Sequence, residues 1–234
     1  MDKIGSLLTV RFQSKKEAQD LHINNYRSDG VLKQYGAPYQ SHYFRVRYVI
    51  DQIEENSKVL DVGCNGGSLG IHLLKKGCHV NGIDLVDELV EKAKRRGIFA
   101  EKGEAENLSR YDSKSFKYVI CTEVLEHLYD PFPAVKEAYR VLKEGGKYII
   151  TVPHPNGRMG GEKLGDYHQQ NFTLEILNTL IYSCFKKGDA KIIEIPYTDQ
   201  FNLSEGISPI GTDKNGNNLY PPQWVGITAE KKVE

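Results

Sequence analysis

Val59-Leu60-Asp61-Val62-Gly63-Cys64-Asn65-Gly66-Gly67-Ser68-Leu69-Gly70 is the stretch that decides the fold of this chain. It begins with a short apolar run typical of a buried strand, and the glycines that follow predict a tight turn with a helix opening behind it. Because glycine has no Cβ, the backbone there can approach a ligand closely, and the helix N-terminus directs unpaired N–H groups into the same space. The stretch therefore predicts a nucleotide-like cofactor at the turn, although a turn that needs glycine only for steric reasons remains an alternative.

A second short apolar run, residues 79–83, ends on Asp84. In doubly wound α/β folds, a carboxylate at the tip of the second strand, about 20 residues past the glycine turn, binds the ribose hydroxyls of the cofactor. Aspartate is also a preferred N-cap, so Asp84 can instead begin the helix predicted over 86–95, and the two roles are compatible. We expect the ribose role.

Strands and helices alternate through the middle of the chain, which is typical of a parallel sheet covered by helices on both faces. After a helix over 41–53, the pattern predicts strand 58–62, helix 68–76, strand 79–83, helix 86–95, strands 98–100 and 118–121, helix 133–142 and strand 147–152. Gly145-Gly146 predicts the stop between the last helix and strand. Thr173 predicts the cap of a helix over 173–182. Residues 191–195 and 224–229 are joined without a crossover helix, which predicts an antiparallel hairpin at the sheet edge.

The chain is 234 residues long, which is enough for one large core but short for two full domains. We therefore expect a single domain over 1–234. In it, residues 1–55 form a helical, aromatic-rich cap over a core of residues 56–234. Residues 1–40 are polar and show no regular pattern.

Charge and composition limit the classes of partner and compartment. Lys+Arg and Asp+Glu both number 31, so the formal net charge is +0, whereas a general polyanion binder carries a basic excess. A nucleic-acid partner is therefore not expected, and the charged run 91–96 is interpreted as a solvated helix face. No apolar stretch predicts a transmembrane helix or a signal peptide. The four cysteines stand singly, which favours a reducing cytoplasm, and we expect a monomer or a homodimer.

Five segments resemble, in order and spacing, the motifs of class I S-adenosylmethionine-dependent methyltransferases. They are the turn at 59–67, Gly82-Ile83-Asp84, Gly103-Glu104-Ala105-Glu106, residues 116–128, and Arg140-Val141-Leu142-Lys143-Glu144-Gly145-Gly146. The resemblance implies a Rossmann-like, doubly wound α/β fold whose seven-stranded sheet has the order 3-2-1-4-5-7-6, with strand 7 antiparallel. It also implies S-adenosylmethionine as the cofactor.

The resemblance implies a set of cofactor-binding residues at the motif positions. These are Asp61, Gly63, Cys64, Asn65, Gly67, Asp84, Leu85, Glu104, Ala105, Thr122 and Glu123. Asn65 stands where the family usually has glycine, and we expect the turn to survive because asparagine tolerates a left-handed backbone. Glu104 stands where aspartate is more usual, which leaves its contact with adenine open.

Methyl transfer is an in-line displacement that requires alignment of the reactants and removal of a proton from the nucleophile. We expect His127, His168 or His154 to act as the base. Glu123, Glu126 and His127 would share one face if they formed a helical turn, and with His168 they are candidate ligands of a divalent metal that would lower the pKa of an acceptor hydroxyl. The alternative is that this Glu-x-x-Glu-His run is structural, with no metal.

The function expected from these residues is S-adenosylmethionine-dependent methyl transfer to an oxygen or nitrogen of a small-molecule acceptor, such as a sugar, a quinone precursor or a secondary metabolite. One alternative is a metal-assisted RNA 3′-terminal 2′-O-methyltransferase. Another is a cofactor-binding partner protein without catalysis. An NAD-dependent dehydrogenase is compatible with the glycine turn alone but not with the motifs after the second strand.

Overall fold

The computed structural model describes residues 14–27, 43–155, 170–196 and 222–233, and the structural statements below concern these residues. The helices are α1 (Lys15–Arg27), α2 (Tyr43–Asp51), α3 (Gly70–Lys75), α4 (Asp87–Arg95), α5 (Phe132–Val141) and α6 (Leu174–Tyr182), with a 3₁₀ turn at Leu125–His127. The strands are β1 (Lys58–Val62), β2 (His79–Asp84), β3 (Phe99–Lys102), β4 (Phe116–Thr122), β5 (Leu142–Pro153), β6 (Ala190–Pro196) and β7 (Pro222–Glu230).

The strands form one seven-stranded sheet in the order β3-β2-β1-β4-β5-β7-β6. Strands β1 to β5 pair in parallel, whereas β7 runs antiparallel to both β5 and β6. The predicted strand order, the antiparallel strand 7 and the closing hairpin are therefore confirmed. The parallel strands bring all their carboxyl ends to one edge of the sheet, which is where open α/β sheets bind ligands.

Alternating side chains of the central strands fill two separate cores. In β4, Val119 and Cys121 join the apolar cluster beneath α5 and α6, and Tyr118 and Ile120 join the cluster beneath α2, α3 and α4. Successive strand residues point to opposite faces, so a strand buried on both faces has no polar side. The doubly wound architecture predicted from the apolar runs is confirmed.

The sequence predicts a helical cap within residues 1–55 but no bounds for helix α1, because residues 1–40 show no regular apolar pattern. Helix α1 contacts segments that follow three different strands: Glu104 beyond β3, Glu88 beyond β2 and His127 beyond β4. Because each of these segments follows a strand's last residue, α1 lies across the carboxyl edge of the sheet.

The predicted helix stop at Gly145-Gly146 is wrong. Helix α5 ends at Val141, and the glycines lie within β5, where the register against β4 shifts. The backbone N–H of Gly145 donates to the carbonyl of Lys231, and the N–H of Lys231 donates to the carbonyl of Gly146 at 2.9 Å. Pairing with a segment beyond β7 therefore draws these residues into the sheet, and Gly145 takes a positive φ of 66° to allow it.

Two structural observations concern the expectations about membrane spans and cysteines. Across the described ranges, no helix is long and apolar enough to cross a membrane. All four cysteines are free, and Cys64, Cys78 and Cys121 are buried. A single domain over 1–234 and a cytoplasmic location stay predictions.

Candidate active site

The glycine turn after β1 is anchored to β2 by backbone hydrogen bonds. The N–H groups of Gly63 and Cys64 both donate to the carbonyl of Ile83 at 2.9 Å. Asn65 has a φ of 51°, so the expected left-handed conformation is confirmed. Its side-chain oxygen accepts from the N–H of Gly66 at 2.6 Å, which closes the turn in the way an asparagine side chain allows.

Asp84 ties the end of β2 to this turn. Its Oδ2 accepts from the backbone N–H of Asn65 at 2.8 Å, and its Oδ1 accepts from the N–H of Val86 at 3.0 Å. The N-cap position of α4 belongs to Val86, so Asp84 is not the helix cap. The carboxylate of Asp84 therefore faces the turn. Leu85, the next residue and another predicted cofactor contact, is half-buried.

Asp61, at the carboxyl end of β1, is a second buried acid beside the turn. Only 2% of Asp61 is exposed, and its Oδ2 has no hydrogen-bond partner among the described residues. Burial, followed by the neighbouring charge of Asp84, raises the pKa of Asp61 to about 7. Burial also raises the pKa of Asp84, against the hydrogen bonds of its backbone partners. Two buried acids favour a cationic ligand group and repel a pyrophosphate.

Gly63 joins the turn to the segment that follows β4. It has a φ of 72°, and a Cβ there would lie 2.3 Å from Cγ2 of Val124. Only glycine fits this contact, because the conformation and the distance both exclude a side chain. The turn thus packs directly against residues 122–124, which contain the predicted cofactor contacts Thr122 and Glu123.

The segment after β3 lies beside the same edge. The N–H of Gly103 donates to the carbonyl of Asp84 at 2.9 Å. Ala105 is buried, and the carboxylate of Glu104 lies 2.7 Å from Nζ of Lys15 in α1. Glu104 and Ala105 are thus held near the turn, and Glu104 has a cation from α1 as its neighbour.

Glu123 does not belong to a helical turn, so the predicted shared face of residues 123, 126 and 127 is wrong. Glu123 has a positive φ of 55° and precedes the 3₁₀ turn. Its Oε1 accepts from the hydroxyl of Thr151, and its Oε2 accepts from the indole N–H of Trp224, both at 2.9 Å. Both oxygens of this predicted metal ligand are therefore engaged.

Glu126 is the most isolated acid of the site. It is 1% exposed, and neither carboxyl oxygen has a hydrogen-bond partner within the described part of the chain. Burial and the neighbouring Glu123 raise its pKa well above the ordinary range. Burial therefore favours the protonated form of Glu126 relative to that of an exposed glutamate.

The three candidate histidines have different surroundings. The Nε2 of His127 lies 3.7 Å from Oε1 of Glu126, and its ring centroid lies 4.8 Å from that of His22 in α1. His154, just beyond β5, is buried, with its Nε2 3.1 Å from Oε1 of Glu194 in β6. His168 lies outside the described residues.

No group of three or more His, Cys, Asp or Glu side chains within the described ranges is placed to hold a metal. Of the predicted ligands, the structure brings together Glu126 and His127, and it commits Glu123 to Thr151 and Trp224. Because His168 is not described, the metal site stays a prediction.

Several residues of this edge could not be recognised in the sequence. His22 lies near the start of the sequence and Trp224 near its end. Arg45 of α2 is a third such residue, and its guanidinium lies 5.7 Å from the centre of the Trp224 ring. Glu194 comes from the closing hairpin. No local motif marks these residues, since each reaches the site only through tertiary packing.

Comparison with known proteins agrees with this geometry. Residues 60–150 match the family model for a methyltransferase domain. The chain is similar to the ubiquinone biosynthesis O-methyltransferase of Xanthomonas oryzae, with 35% identity over 115 residues, which are 46% of this chain and 48% of the relative. The chain thus spans about half the length of the curated relatives it matches.

Solved structures share the fold over most of the chain. A SAM-dependent methyltransferase from Thermotoga maritima superposes with a TM-score of 0.66 and 20% identity, covering 92% of this chain and 99% of the other. The [4+2]-cyclase SpnF superposes with the same TM-score and 16% identity, covering 93% of this chain and 97% of the cyclase. At these identities the likeness shows the fold alone.

The fold and the carboxyl-edge site define a Rossmann-like α/β protein built to hold a nucleoside cofactor. Residues 60–150 of this chain resemble a methyltransferase domain, and the solved structures that share its fold include SAM-dependent methyltransferases. The fold expected from the five motifs is confirmed, and the match to a methyltransferase domain supports the expected family.

Proposed function

We propose that this chain transfers the methyl group of S-adenosylmethionine to an oxygen or nitrogen of a small-molecule acceptor. The observation that carries the proposal is the pair of buried acids, Asp61 and Asp84, on either side of the glycine turn. S-adenosylmethionine has a cationic ammonium group, a sulfonium and a ribose, which suit this pair. A dinucleotide has a pyrophosphate, which the same charges oppose.

The residues present fit the cofactor. In this proposal Asp61 accepts from the ammonium group and Asp84 from the ribose hydroxyls. The Oδ2 of Asp61, which has no hydrogen-bond partner among the described residues, and the position of Asp84 beside the turn support these roles. The close approach at Gly63 and the left-handed Asn65 shape the turn around the amino-acid end, with Cys64 and Gly67 in the same turn. Leu85, Glu104, Ala105, Thr122 and Glu123 complete the proposed contacts.

When bound, the cofactor supplies a methyl group that its own sulfonium activates. The remaining requirements fall on the chain, which must align the acceptor and take up its proton. His127 and His154 are the described candidates for the base, and each has a carboxyl group next to its Nε2. Helix α1 covers the edge above His127, where it limits the access of water.

An oxygen acceptor is favoured over nitrogen, because the curated relatives are named ubiquinone biosynthesis O-methyltransferases. A phenolic quinone precursor is therefore the first acceptor class to test, ahead of sugars and secondary metabolites. Action as a monomer or homodimer is part of the proposal.

Calorimetric titration with S-adenosylmethionine, S-adenosylhomocysteine and NAD tests the cofactor. We expect binding of the first two and none of NAD, and tight NAD binding would contradict the proposal. Asp61→Asn should weaken binding of both S-adenosylmethionine and S-adenosylhomocysteine, since both carry the ammonium group. Asp112→Asn, at an exposed site remote from the turn in sequence, is the control for the loss of a carboxylate as such.

A screen of phenol, sugar, amine and RNA acceptors, read as S-adenosylhomocysteine formed, tests the reaction. Turnover with a phenol is expected. Cofactor binding with no turnover on any acceptor class would favour a cofactor-binding partner protein, and turnover on RNA alone would favour the terminal RNA methyltransferase. Loss of turnover after exhaustive chelation, with recovery on added Mg²⁺, would support the metal at Glu126, His127 and His168.

A further inference from the structure

Arg96, immediately after α4, is bonded to the outer side of the glycine turn. Its Nη1 donates to the carbonyl of Gly66 at 2.7 Å and to the hydroxyl of Ser68 at 2.9 Å. Arg96 is half-buried and Ser68 is buried. The interpretation of the run 91–96 as a wholly solvated helix face is therefore wrong at this position, because the guanidinium is part of the packing beneath the turn.

Lys92 supports the same contact one helical turn earlier. A Cβ on Gly66 would lie 2.7 Å from Cδ of Lys92, so the aliphatic stem of this lysine fills the space that a side chain at Gly66 would need. Residues four apart lie on one face of a helix. Lys92 and Arg96 thus present a single surface of α4 and its C-terminus to the turn.

The turn is consequently held from two sides. On its inner side, the carboxylate of Asp84 accepts from the N–H of Asn65 at 2.8 Å. On its outer side, the guanidinium of Arg96 holds the next residue's carbonyl, that of Gly66. The two contacts act on the peptide groups Cys64–Asn65 and Gly66–Gly67, which are separated by one peptide, and together they restrict the orientation of both planes. Hydrogen bonds to charged groups are the stronger kind.

We propose that Arg96 is a positioning residue for the cofactor turn, which sets the affinity for S-adenosylmethionine without contacting it. This inference rests on the proposed function. A turn held in its binding conformation loses less conformational freedom when the cofactor binds, so the clamp raises affinity through preorganisation.

The test compares Arg96→Gln with Arg95→Gln in the full chain, using S-adenosylhomocysteine as the calorimetric probe. Arg95 is the exposed last residue of α4 and carries the same charge one position away. We expect Arg96→Gln to raise the Kd about tenfold, as the loss of a charge-assisted hydrogen bond would, and Arg95→Gln to change it less than about twofold. Arg96→Lys should recover part of the affinity, because it keeps the charge but not the fork geometry.

Amide hydrogen exchange of the ligand-free protein supplies the second measurement. Arg96→Gln should speed exchange at the amides of residues 65–68, while leaving the protection of β1 and β4 unchanged, which separates an effect on the turn from a general loss of stability. Ser68→Ala should give a smaller effect in the same direction.

The outcomes are distinguishable. If the unaltered protein binds S-adenosylhomocysteine and Arg96→Gln binds it equally well, the positioning role is overturned and the proposed function stands. If the unaltered protein does not bind the probe at all, the proposed function fails first and the inference fails with it.

Discussion

The proposed cofactor side and the proposed acceptor side of the carboxyl edge are built in different ways. The cofactor side consists of Asp61, the turn at 63–68 and Asp84, and it is joined by hydrogen bonds between neighbouring strands. The acceptor side consists of residues 123–127 and their surroundings. There Glu123 is held by Thr151 and Trp224, and His127 contacts His22, so its parts come from both ends of the chain.

This difference in construction shows which part of a site a short sequence motif can specify. Backbone geometry around a glycine turn depends on a few consecutive residues, so the cofactor side can be encoded locally. The acceptor side depends on side chains from α1, α2, β5, β6 and β7, whose sequences can change without altering the turn. In the proposed function, the first side binds the cofactor and the second side contacts the acceptor.

The largest expected effect concerns Gly63, where the glycine turn packs against Val124. Gly63→Ala should lower the free energy of unfolding by about 3 kcal/mol, because a Cβ there meets Val124 and the φ is positive. Gly145→Ala is the matched control, since it also has a positive φ but no atom within 4 Å, and it should lose about 1 kcal/mol. Urea unfolding measures both, and equal losses would show that the two sides are not in tight contact.

Asp84→Asn tests the inner clamp of the cofactor side. It should weaken S-adenosylhomocysteine binding about a hundredfold, because it removes a charged acceptor from the turn and from the ribose site. Asp87→Asn, an exposed acid in the first turn of α4 paired with Lys102, is the control and should change little. A loss below about threefold in Asp84→Asn would reduce that residue to a structural role.

Trp224→Phe tests the acceptor side by itself. It removes the indole donor from the buried Glu123, and it should lower the free energy of unfolding by about 2 kcal/mol, since one carboxyl oxygen is left unpaired. Glu123 is also a proposed cofactor contact, but its Oε1 keeps the hydrogen bond from Thr151 in this variant. Cofactor affinity should therefore stay within about twofold of the unaltered protein. A large loss of affinity in this variant would show that the two sides are coupled.

The pH dependence of cofactor binding tests the buried charge of Asp61. With a pKa of about 7 in the free protein, Asp61 becomes an anion as pH rises through neutrality, and affinity for the ammonium group should rise about tenfold between pH 6 and pH 8. Calorimetry at these two values measures the change. Asp61→Asn should flatten the profile, and an unchanged slope would assign the titration to another group.

The free energy of unfolding of the ligand-free protein should change with pH in the opposite direction to the cofactor affinity. The pKa of Asp61 is raised on folding from its ordinary 3.8, so the folded state binds more protons than the unfolded state between about pH 4 and pH 7. The free energy of unfolding therefore falls as pH rises through this window, and Asp61→Asn should remove that part of the slope. Urea titrations at pH 5 and pH 7 make the comparison.

The smallest expected effect concerns the cover over both sides. Lys15→Gln removes the ion pairs of α1 with Glu104 and Glu106, which are 2.7 and 3.3 Å long, and it should speed dissociation of S-adenosylhomocysteine about two- to threefold. Lys16→Gln, whose partner Asp20 lies within α1 itself, is the control. Stopped-flow measurements at low and high salt compare the dissociation rates of the two variants. Equal rates would show that the ion pairs of α1 with Glu104 and Glu106 do not affect cofactor dissociation.

The alternation of strands and helices and the glycine turn could be predicted from the sequence alone, because apolar runs and glycine positions act through the nearest backbone. The strand order was predicted from the resemblance of five motifs to a known family. Asn65 shows how far such reasoning reaches, since its left-handed conformation follows from the residue type alone. The bounds of β5 show the limit of such reasoning, because pairing with Lys231 overrides the helix stop that Gly145 predicts.

Only the tertiary structure decided the surroundings of Glu123, Glu126 and His127, and the bond from Arg96 to the turn. The sequence placed Glu123 on a helical turn, but hydrogen bonds from Thr151 and Trp224 hold it outside that turn. Long-range packing selects which side chains meet, and it does so through contacts between elements that lie far apart in the chain.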